Sequence, residues 1–297
     1  MSTKVIVLGS TGMLGAMVYS HLKRVQGFEV LGSAREDGVG RSIVFDAEHF
    51  NPESQLFDQY KPDYIINCIG IIKPYCKDND PVGVVRAIKV NALFPHNLGK
   101  YCSKQKIKAI QIATDCVYSG KDGRYVESSP HDALDVYGKS KSLGEVFDRS
   151  LLNIRCSIMG PEKKGRLSLL EWFLAQPPKS SINGFMHHKW NGVTTMQFSE
   201  LCQKIIEKQG VFERLLEASP IHHFFPNETV TKYQLLNILQ KVYSTNFEIK
   251  AVSDMGPPVD RSISTTHKIL AELIRGPRSL ESAFSECRDF VKSGYFI

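Results

Sequence analysis

Short apolar runs alternate with segments of helical composition through the first half of the chain. Lys4 to Leu8, Phe28 to Gly32, Ile43 to Phe45, Tyr64 to Gly70, Ile107 to Ile112 and Leu151 to Arg155 each read as a strand. Helical segments separate them. One runs from the first glycine turn to about Arg24, a second covers Glu53 to Tyr60, and a long third opens at Pro81 and passes through Asn91 to about Cys102. This alternation predicts an α/β fold built on a doubly wound parallel sheet. After Arg155 the rhythm changes. Met159-Gly160-Pro161 and a basic loop (Glu162 to Arg166) precede a helix over Leu167 to Ala175 and then Pro177-Pro178. Strand candidates at His222 to Phe225 and Phe247 to Val252 mix with helices near Met196 to Lys208, Val230 to Tyr243 and Leu280 to Val291. Residues 1–157 are therefore expected to form the sheet domain, with about 185–220 returning to it. Residues 158–297 are expected to form mainly a smaller, partly interleaved lobe that closes over the strand ends.

Between the first strand and the first helix stands Gly9-Ser10-Thr11-Gly12-Met13-Leu14-Gly15, a strand–turn–helix context that makes a dinucleotide-binding turn credible. Gly9 permits the tight turn, Gly12 lets backbone N–H groups approach a pyrophosphate, and Gly15 lets the helix pack close to the sheet. Ser10, Thr11, Met13 and Leu14 complete the cofactor-binding turn. The spacing is G-x-x-G-x-x-G, not the G-x-G-x-x-G of simple dehydrogenases. The second strand is followed by Ser33-Ala34-Arg35 where an NAD site would carry an acidic residue for the ribose hydroxyls. Arg35 can pair with a 2′-phosphate, which favours NADP(H) over NAD(H), although Glu36 and Asp37 stand close behind. Asp46, ending the third strand, is placed against the adenine. The backbone from Cys68 through Ile69 and Gly70 flanks the ribose side. Asn91 falls mid-helix in an apolar stretch and is expected to be buried and hydrogen-bonded, close to the cofactor site.

A second constellation lies downstream. Thr114 follows the fifth strand, at the strand ends where ligands bind in open α/β sheets. Tyr137 and Lys141 are four residues apart on a helical segment and share one face. A phenol with a pKa of ~10 is a poor acid–base group at neutral pH. A cation within roughly 4–6 Å favours phenolate and lowers that value. Lys141 is the expected cation, and Thr114 the expected partner of the substrate oxygen.

Length and composition fit a soluble globular protein of one large or two unequal units. The net charge of +6 is scattered, with no long Lys/Arg block and no nucleic-acid motif. Seven cysteines, odd in number and without C-x-x-C, argue for reduced thiols and against a structural zinc site. His187-His188 and His222-His223 are not completed by any ligand cluster, so no metal is expected. The apolar first twenty residues are interrupted by glycines and lack a cleavage pattern. No run is long enough to span a bilayer, and a cytoplasmic location is expected.

With these residues in hand, the chain resembles the extended short-chain dehydrogenase/reductases, more narrowly the dTDP-4-dehydrorhamnose reductase group. The carriers are G-S-T-G-M-L-G, A-T-D-C-V-Y-S-G, D-V-Y-G-K-S-K-S-L-G-E, L-N-I-R-C-S-I-M-G, W-N-G-V-T-T and the stretch from Asp260-Arg261-Ser262 to Lys268. The resemblance spans nearly the whole chain. It implies a Rossmann fold, a Thr114–Tyr137–Lys141 active site, a nicotinamide cofactor held in part by Tyr137 and Lys141, and a nucleotide-linked sugar in the C-terminal lobe. Asp115, Cys116, Trp190, Asn191 and Arg261 become candidate substrate residues, and a homodimer a candidate assembly. The implied reaction is hydride transfer from NADPH to a 4-keto-6-deoxy sugar in deoxysugar and polysaccharide synthesis. Cys116 departs from the reductases, which usually carry an aromatic residue there. GDP-fucose synthase, a bifunctional epimerase/reductase, has a catalytic cysteine at the matching place and also needs a histidine, for which only His187 and His188 offer themselves. A third possibility is a non-catalytic NADP-binding subunit, because the regulatory subunit of methionine adenosyltransferase resembles the same family.

Overall fold

The computed structural model describes residues 2–36, 42–274 and 278–296. The central sheet is built from β1 (Thr3–Leu8), β2 (Phe28–Ala34), β3 (Ser42–Val44), β4 (Tyr64–Asn67), β5 (Lys108–Thr114), β6 (Leu151–Cys156) and the edge strand Ile221–His223. All pairings are parallel, in the order Ile221–His223, β6, β5, β4, β1, β2, β3. The chain reverses its direction of winding between β1 and β4, where Leu8 pairs with Asn67, and ligands bind at such a switch point in this fold class.

The central strands serve two cores, so their sequences carry runs of adjacent apolar residues instead of strict alternation. From β1, Val5 and Val7 pack with Leu14, Val18 and Leu22 of α1 (Met13–Leu22) and with Phe198, Leu201 and Ile205 of the helix Thr195–Glu207. Ile6 and Leu8 face the other way, onto Phe45, Phe57, Val90, Phe94 and Leu98. Gly15 is required by the first of these packings: a Cβ there would lie 2.1 Å from the Gly9 carbonyl oxygen.

The doubly wound architecture matches the expectation; several elements differ in detail. Glu53 to Tyr60 is a series of turns, not a helix. Asn51 Oδ1 accepts from Glu53 N at 2.9 Å and Ser54 Oγ from Leu56 N at 3.1 Å, so short polar side chains compete with the helical ladder. The long helix from Pro81 is α2 (Pro81–Ala87), a π-helical turn over Ile88–Leu93, and α3 (Phe94–Gln105). The wide turn carries Asn91, and its carbonyl abuts Gly144, where a Cβ would come within 1.7 Å. Thr114 is the last paired residue of β5, opposite Cys156, instead of lying beyond the strand. The helix expected over Leu167 to Ala175 is shorter, Leu169–Leu174.

The strand expected at His222 to Phe225 is Ile221–His223, and it extends the main sheet beside β6. Helices Thr195–Glu207 and Val211–Ala218 lead the chain back to it. The remaining C-terminal elements build a separate apolar core from Met159, Leu170, Phe173, Ile182, Leu236, Leu239, Phe247 and Phe284. There Ser181–Phe185 pairs with Glu248–Val252, and His188–Trp190 lies between Val230–Thr231 and Val259–Asp260. The seven cysteines are free thiols. Among the described residues no helix is long and apolar enough to cross a membrane, and no group of three or more His, Cys, Asp or Glu is placed to hold a metal ion.

Candidate active site

At the carboxyl ends of β1, β2 and β4 a cavity of about 400 Å³ is lined by Gly9, Thr11, Gly12, Arg35, Asp46, Cys68, Ile69 and Gly70, all expected from the sequence to meet a cofactor. Gly9 has φ +78°, a conformation that glycine adopts without steric cost. The turn is tied to β2, with Ser10 N and Ser10 Oγ each donating to the Ser33 carbonyl at 3.0 Å. Gly12 begins α1 with no side-chain cap, leaving helix N–H groups free for an anion. A Cβ at Gly12 would meet only Gly9 O, at 3.5 Å, so nothing inside the protein fills that space. An open cradle, an uncapped helix start and an arginine at the end of β2 fit a dinucleotide carrying a 2′-phosphate.

Other residues assigned to the cofactor from the sequence have different roles. Leu14 is a core side chain under the sheet, and Ser10 braces the turn. Neither lines the cavity through its side chain, nor does Met13. Asn91 is buried as expected, but its amide is spent on structure. Oδ1 accepts from Ile71 N at 2.8 Å, and Nδ2 donates to Ile71 O at 2.9 Å and Ser140 Oγ at 3.1 Å. It thereby locks the strand-end loop to the helix that carries Tyr137. Asp46 lines the cavity while capping a turn through Glu48 N at 2.9 Å. Asp37 lies outside the described residues. The sequence reading missed Tyr75, Glu48 and Arg86, which also line the cavity; Arg86 Nε donates to Glu48 Oε1 at 2.7 Å.

Thr114 ends β5, and Tyr137 and Lys141 stand on α4 (Val136–Leu143). Asp135 caps that helix through Gly138 N at 2.7 Å and also accepts from Lys73 Nζ at 2.7 Å. Val136 N donates to Asp78 Oδ1 at 2.7 Å. These contacts strap the loop after β4 across the start of α4. The Lys73 ammonium lies 5.9 Å from the centre of the Tyr137 ring, and a cavity of about 410 Å³ opens between Lys73, Cys76, Asp135 and Tyr137.

The electrostatics differ from the expectation. Burial pushes the Tyr137 phenol well above its ordinary value, with Cys116, Asp115 and Cys76 adding to the rise and the Thr114 hydrogen bond opposing it. Lys141 is buried and donates to the Ile112 carbonyl at 2.9 Å. Burial pushes it down to about 8, against the pull of Glu145. Thr114, Tyr137 and Lys141 thus stand together, with burial favouring the protonated phenol and the Lys141 ammonium hydrogen-bonded to the main chain of β5. A protonated phenol is the form that can donate.

Of the substrate candidates, Asp115 and Cys116 lie beside Tyr137. Burial pushes the Cys116 thiol up to about 12, and Asp115 adds to the rise. His187 and His188 rest on the main-chain carbonyls of Met255 (3.2 Å) and Pro257 (3.3 Å). Cys116 is thus held as a thiol, and each histidine has one ring nitrogen on a main-chain carbonyl. Asn191 is buried, with both amide groups bonded to the backbone of Ile263. Trp190 donates to Ser157 Oγ at 2.8 Å and packs on the C-terminal core. Each is thus held in place by a partner within the fold. Arg261 reaches the site, with its Nε donating to the Tyr118 carbonyl at 3.0 Å.

Behind α4 lies a network that no motif signalled. Glu145 and Arg155, both buried, form a paired contact at 2.6 and 2.7 Å, and Arg155 also donates to Tyr118 Oη at 2.6 Å. Another concavity, of about 1390 Å³, lies at the opposite ends of the strands, lined by residues such as Lys4, Asp63, Tyr64 and Lys108. It faces away from Thr114 and the glycine turn.

Residues 3–158 match the family described as RmlD substrate binding domain. Methionine adenosyltransferase 2 subunit beta of Xenopus tropicalis is 25% identical over 244 residues, 78% of this chain and 70% of that protein. A dTDP-4-dehydrorhamnose reductase of Aggregatibacter actinomycetemcomitans is 28% identical over 145 residues, 48% of this chain and 45% of that protein. The crystal structure of dTDP-4-dehydrorhamnose reductase from Bacillus anthracis in complex with NADP superposes with a TM-score of 0.74 at 16% identity, covering 98% of this chain and 100% of that one.

Proposed function

Because the chain belongs to the RmlD substrate binding domain family, we propose that it is an NADPH-dependent oxidoreductase that reduces a nucleotide-linked 4-keto-6-deoxy sugar. The observation that carries this reading is the meeting of Thr114 and Tyr137 at the carboxyl end of β5, with Lys141 one helical turn behind. A phenol kept protonated suits the reductive direction, in which a proton must be given to oxygen. The nicotinamide cofactor, when bound, supplies the hydride. Thr114 orients the sugar carbonyl, Tyr137 gives its proton to the oxygen as negative charge develops there, and Lys141 steadies the phenolate left behind. Gly9, Thr11 and Gly12 hold the pyrophosphate, and Arg35 favours the 2′-phosphate of NADP(H) over NAD(H). Support for this cofactor comes also from the NADP-bound Bacillus anthracis reductase of the same fold.

The same reading divides the labour along the chain. Residues 1–157, with the returning elements Thr195–Glu207, Val211–Ala218 and Ile221–His223, bind the cofactor, and the rest of 158–297 mainly binds the sugar nucleotide. The exposed Leu134, Leu143 and Phe147 flanking α4 support a homodimer through that face. A panel of dTDP-, UDP- and GDP-linked 4-keto sugars assayed for NADPH and NADH oxidation tests the proposal. Turnover of at least one substrate with NADPH supports it, and oxidation of neither cofactor with any of them refutes it.

A non-catalytic NADP-binding subunit is the second reading, favoured by the curated relatives named methionine adenosyltransferase 2 subunit beta. Binding alone does not require the Tyr137 hydroxyl. That reading predicts tight NADPH binding with no oxidation by any keto sugar.

A further inference from the structure

Two buried cations tie the segment that carries Tyr137 to adjacent strands. Lys141 donates to the Ile112 carbonyl of β5 at 2.9 Å. Arg155 reaches from β6 to Glu145, which follows the end of α4, its Nε and Nη2 donating to the two carboxylate oxygens at 2.6 and 2.7 Å. Arg155 pairs with Ala113 and Ile154 with Ile112, so the two anchors sit one register step apart on the sheet. Arg155 is fixed in turn, with Nη1 donating to Tyr118 Oη at 2.6 Å and to the Glu127 carbonyl at 3.1 Å. Glu145 is 4% exposed and Lys141 7%.

An ammonium taken out of water onto a neutral carbonyl is short of compensating charge. The groups around Lys141 leave one source of it. Tyr137 shares α4, Asp115 and Cys116 stand on the turn after β5, and Cys156 ends β6. Burial favours the neutral form of all four. At the start of α4, Lys73 and Asp135 pair with each other. On α2 and the π-helical turn, Arg86 pairs with Glu48 and Lys89 is exposed. His131 Nε2 lies 3.8 Å from Glu145 Oε2, and burial favours its neutral form as well. Burial lowers Lys141 to about 8, and Glu145 opposes that fall more than Cys156 does.

We propose that Glu145 is a positioning residue that keeps Lys141 an ammonium behind Tyr137, while Arg155 holds the Glu145 carboxylate in place. The proposal rests on the reductase reading above for its consequence in turnover. Its charge relation is measured without turnover.

Protein labelled with [13Cε]lysine is titrated by NMR with neither cofactor nor sugar present, and the Lys141 resonance is identified by its loss in Lys141→Met. The wild-type resonance should titrate near pH 8. Glu145→Gln keeps the shape and removes the charge. It should lower the midpoint by about one pH unit, a tenfold loss of proton affinity. Glu145→Asp keeps the charge and shortens the reach, and should titrate closer to wild type than the glutamine variant. A purely structural pair predicts no change of midpoint in Glu145→Gln. If that variant does not fold, Glu145→Gln/Arg155→Met, which leaves neither member of the pair charged, should fold and show a lowered midpoint. An unchanged midpoint in the folded variant, or failure of both variants to fold, overturns the proposal. In an active enzyme the basic limb of turnover should move with the midpoint. A lowered midpoint in a protein that reduces no keto sugar would sink the reductase reading alone. An active reductase whose Lys141 ignores Glu145→Gln would sink this proposal alone.

Discussion

Two glycines of the first turn separate packing within the fold from binding of a cofactor. At Gly15 an added Cβ would sit 2.1 Å from Gly9 O and 2.7 Å from Gly9 C. To reach even a 3.0 Å contact, the helix and the turn must part by about 0.9 Å (3.0 minus 2.1), and both are backbone. Overpacking of this kind costs ~1–3 kcal/mol, against ~1 kcal/mol regained because alanine suits a helix interior better than glycine. Gly15→Ala should therefore lower unfolding stability by up to ~2 kcal/mol and also move the N–H groups of the turn. At Gly12 the added Cβ meets only Gly9 O at 3.5 Å, an ordinary contact, and φ is −83°. Gly12→Ala should leave stability within ~1 kcal/mol of wild type, the scale of changing a cap residue. It should nevertheless weaken NADPH by tenfold or more, because the methyl occupies the space kept for a pyrophosphate. Denaturant unfolding and calorimetric titration with NADPH read the two effects separately. An unchanged NADPH affinity in folded Gly12→Ala would refute the assignment of this turn to the cofactor.

Other consequences follow from the electrostatics. Lys141, held down to about 8 by burial, should lose its proton as pH rises through that value, so turnover should fall on a basic limb near pH 8. Lys141→Met should abolish turnover at every pH. Cys116, pushed up to about 12, is no base at neutral pH, so Cys116→Ser should retain turnover within a few fold. Product formed in deuterated water should carry no deuterium beside the former ketone, and its appearance there would revive the epimerase reading. Glu127 accepts hydrogen bonds from Thr265 Oγ1, Thr266 N and His223 N. Burial would raise its carboxyl, but these donors prevail and hold it down at about 2, below an ordinary 4.5. A depressed carboxylate stabilises the fold above its unfolded pKa, and that contribution is lost as pH falls from about 4.5 towards 2. Glu127→Gln should thus be less stable at neutral pH and lose less stability between pH 5 and 3 than wild type, measured by thermal unfolding.

The sheet was legible because buried parallel strands leave continuous apolar runs, and the turn because its glycines answer to local geometry. Thr114, Tyr137 and Lys141 were legible as positions, since a strand end and a four-residue spacing fix which side chains meet. Their charges were not. The raised phenol and lowered ammonium come from desolvation, which depends on how the loop after β4 and the C-terminal lobe cover the site. Glu53 to Tyr60 misled because its helical composition ignores the Asn51 and Ser54 side chains that bond neighbouring N–H groups. Ile221–His223 is too short to declare its sheet, and only the helices that precede it carry it beside β6. Asn191 and Trp190 stood out through a motif, but their bonds to Ile263 and Ser157 left no signal in the sequence. The Glu145–Arg155 pair spans ten residues and two elements, a relation that no sequence spacing signals.

The central claim is that the Tyr137 phenol delivers a proton to a nucleotide-linked ketone beside a nicotinamide held over the glycine turn. The most direct measurement supplies NADPH deuterated at C4 with the keto sugar selected by the panel and follows the label by mass spectrometry, in wild type and in Tyr137→Phe. The account predicts deuterium on the former carbonyl carbon with wild type, and at least a hundredfold less product with Tyr137→Phe even at saturating NADPH. Equal label transfer by the phenylalanine variant would contradict it.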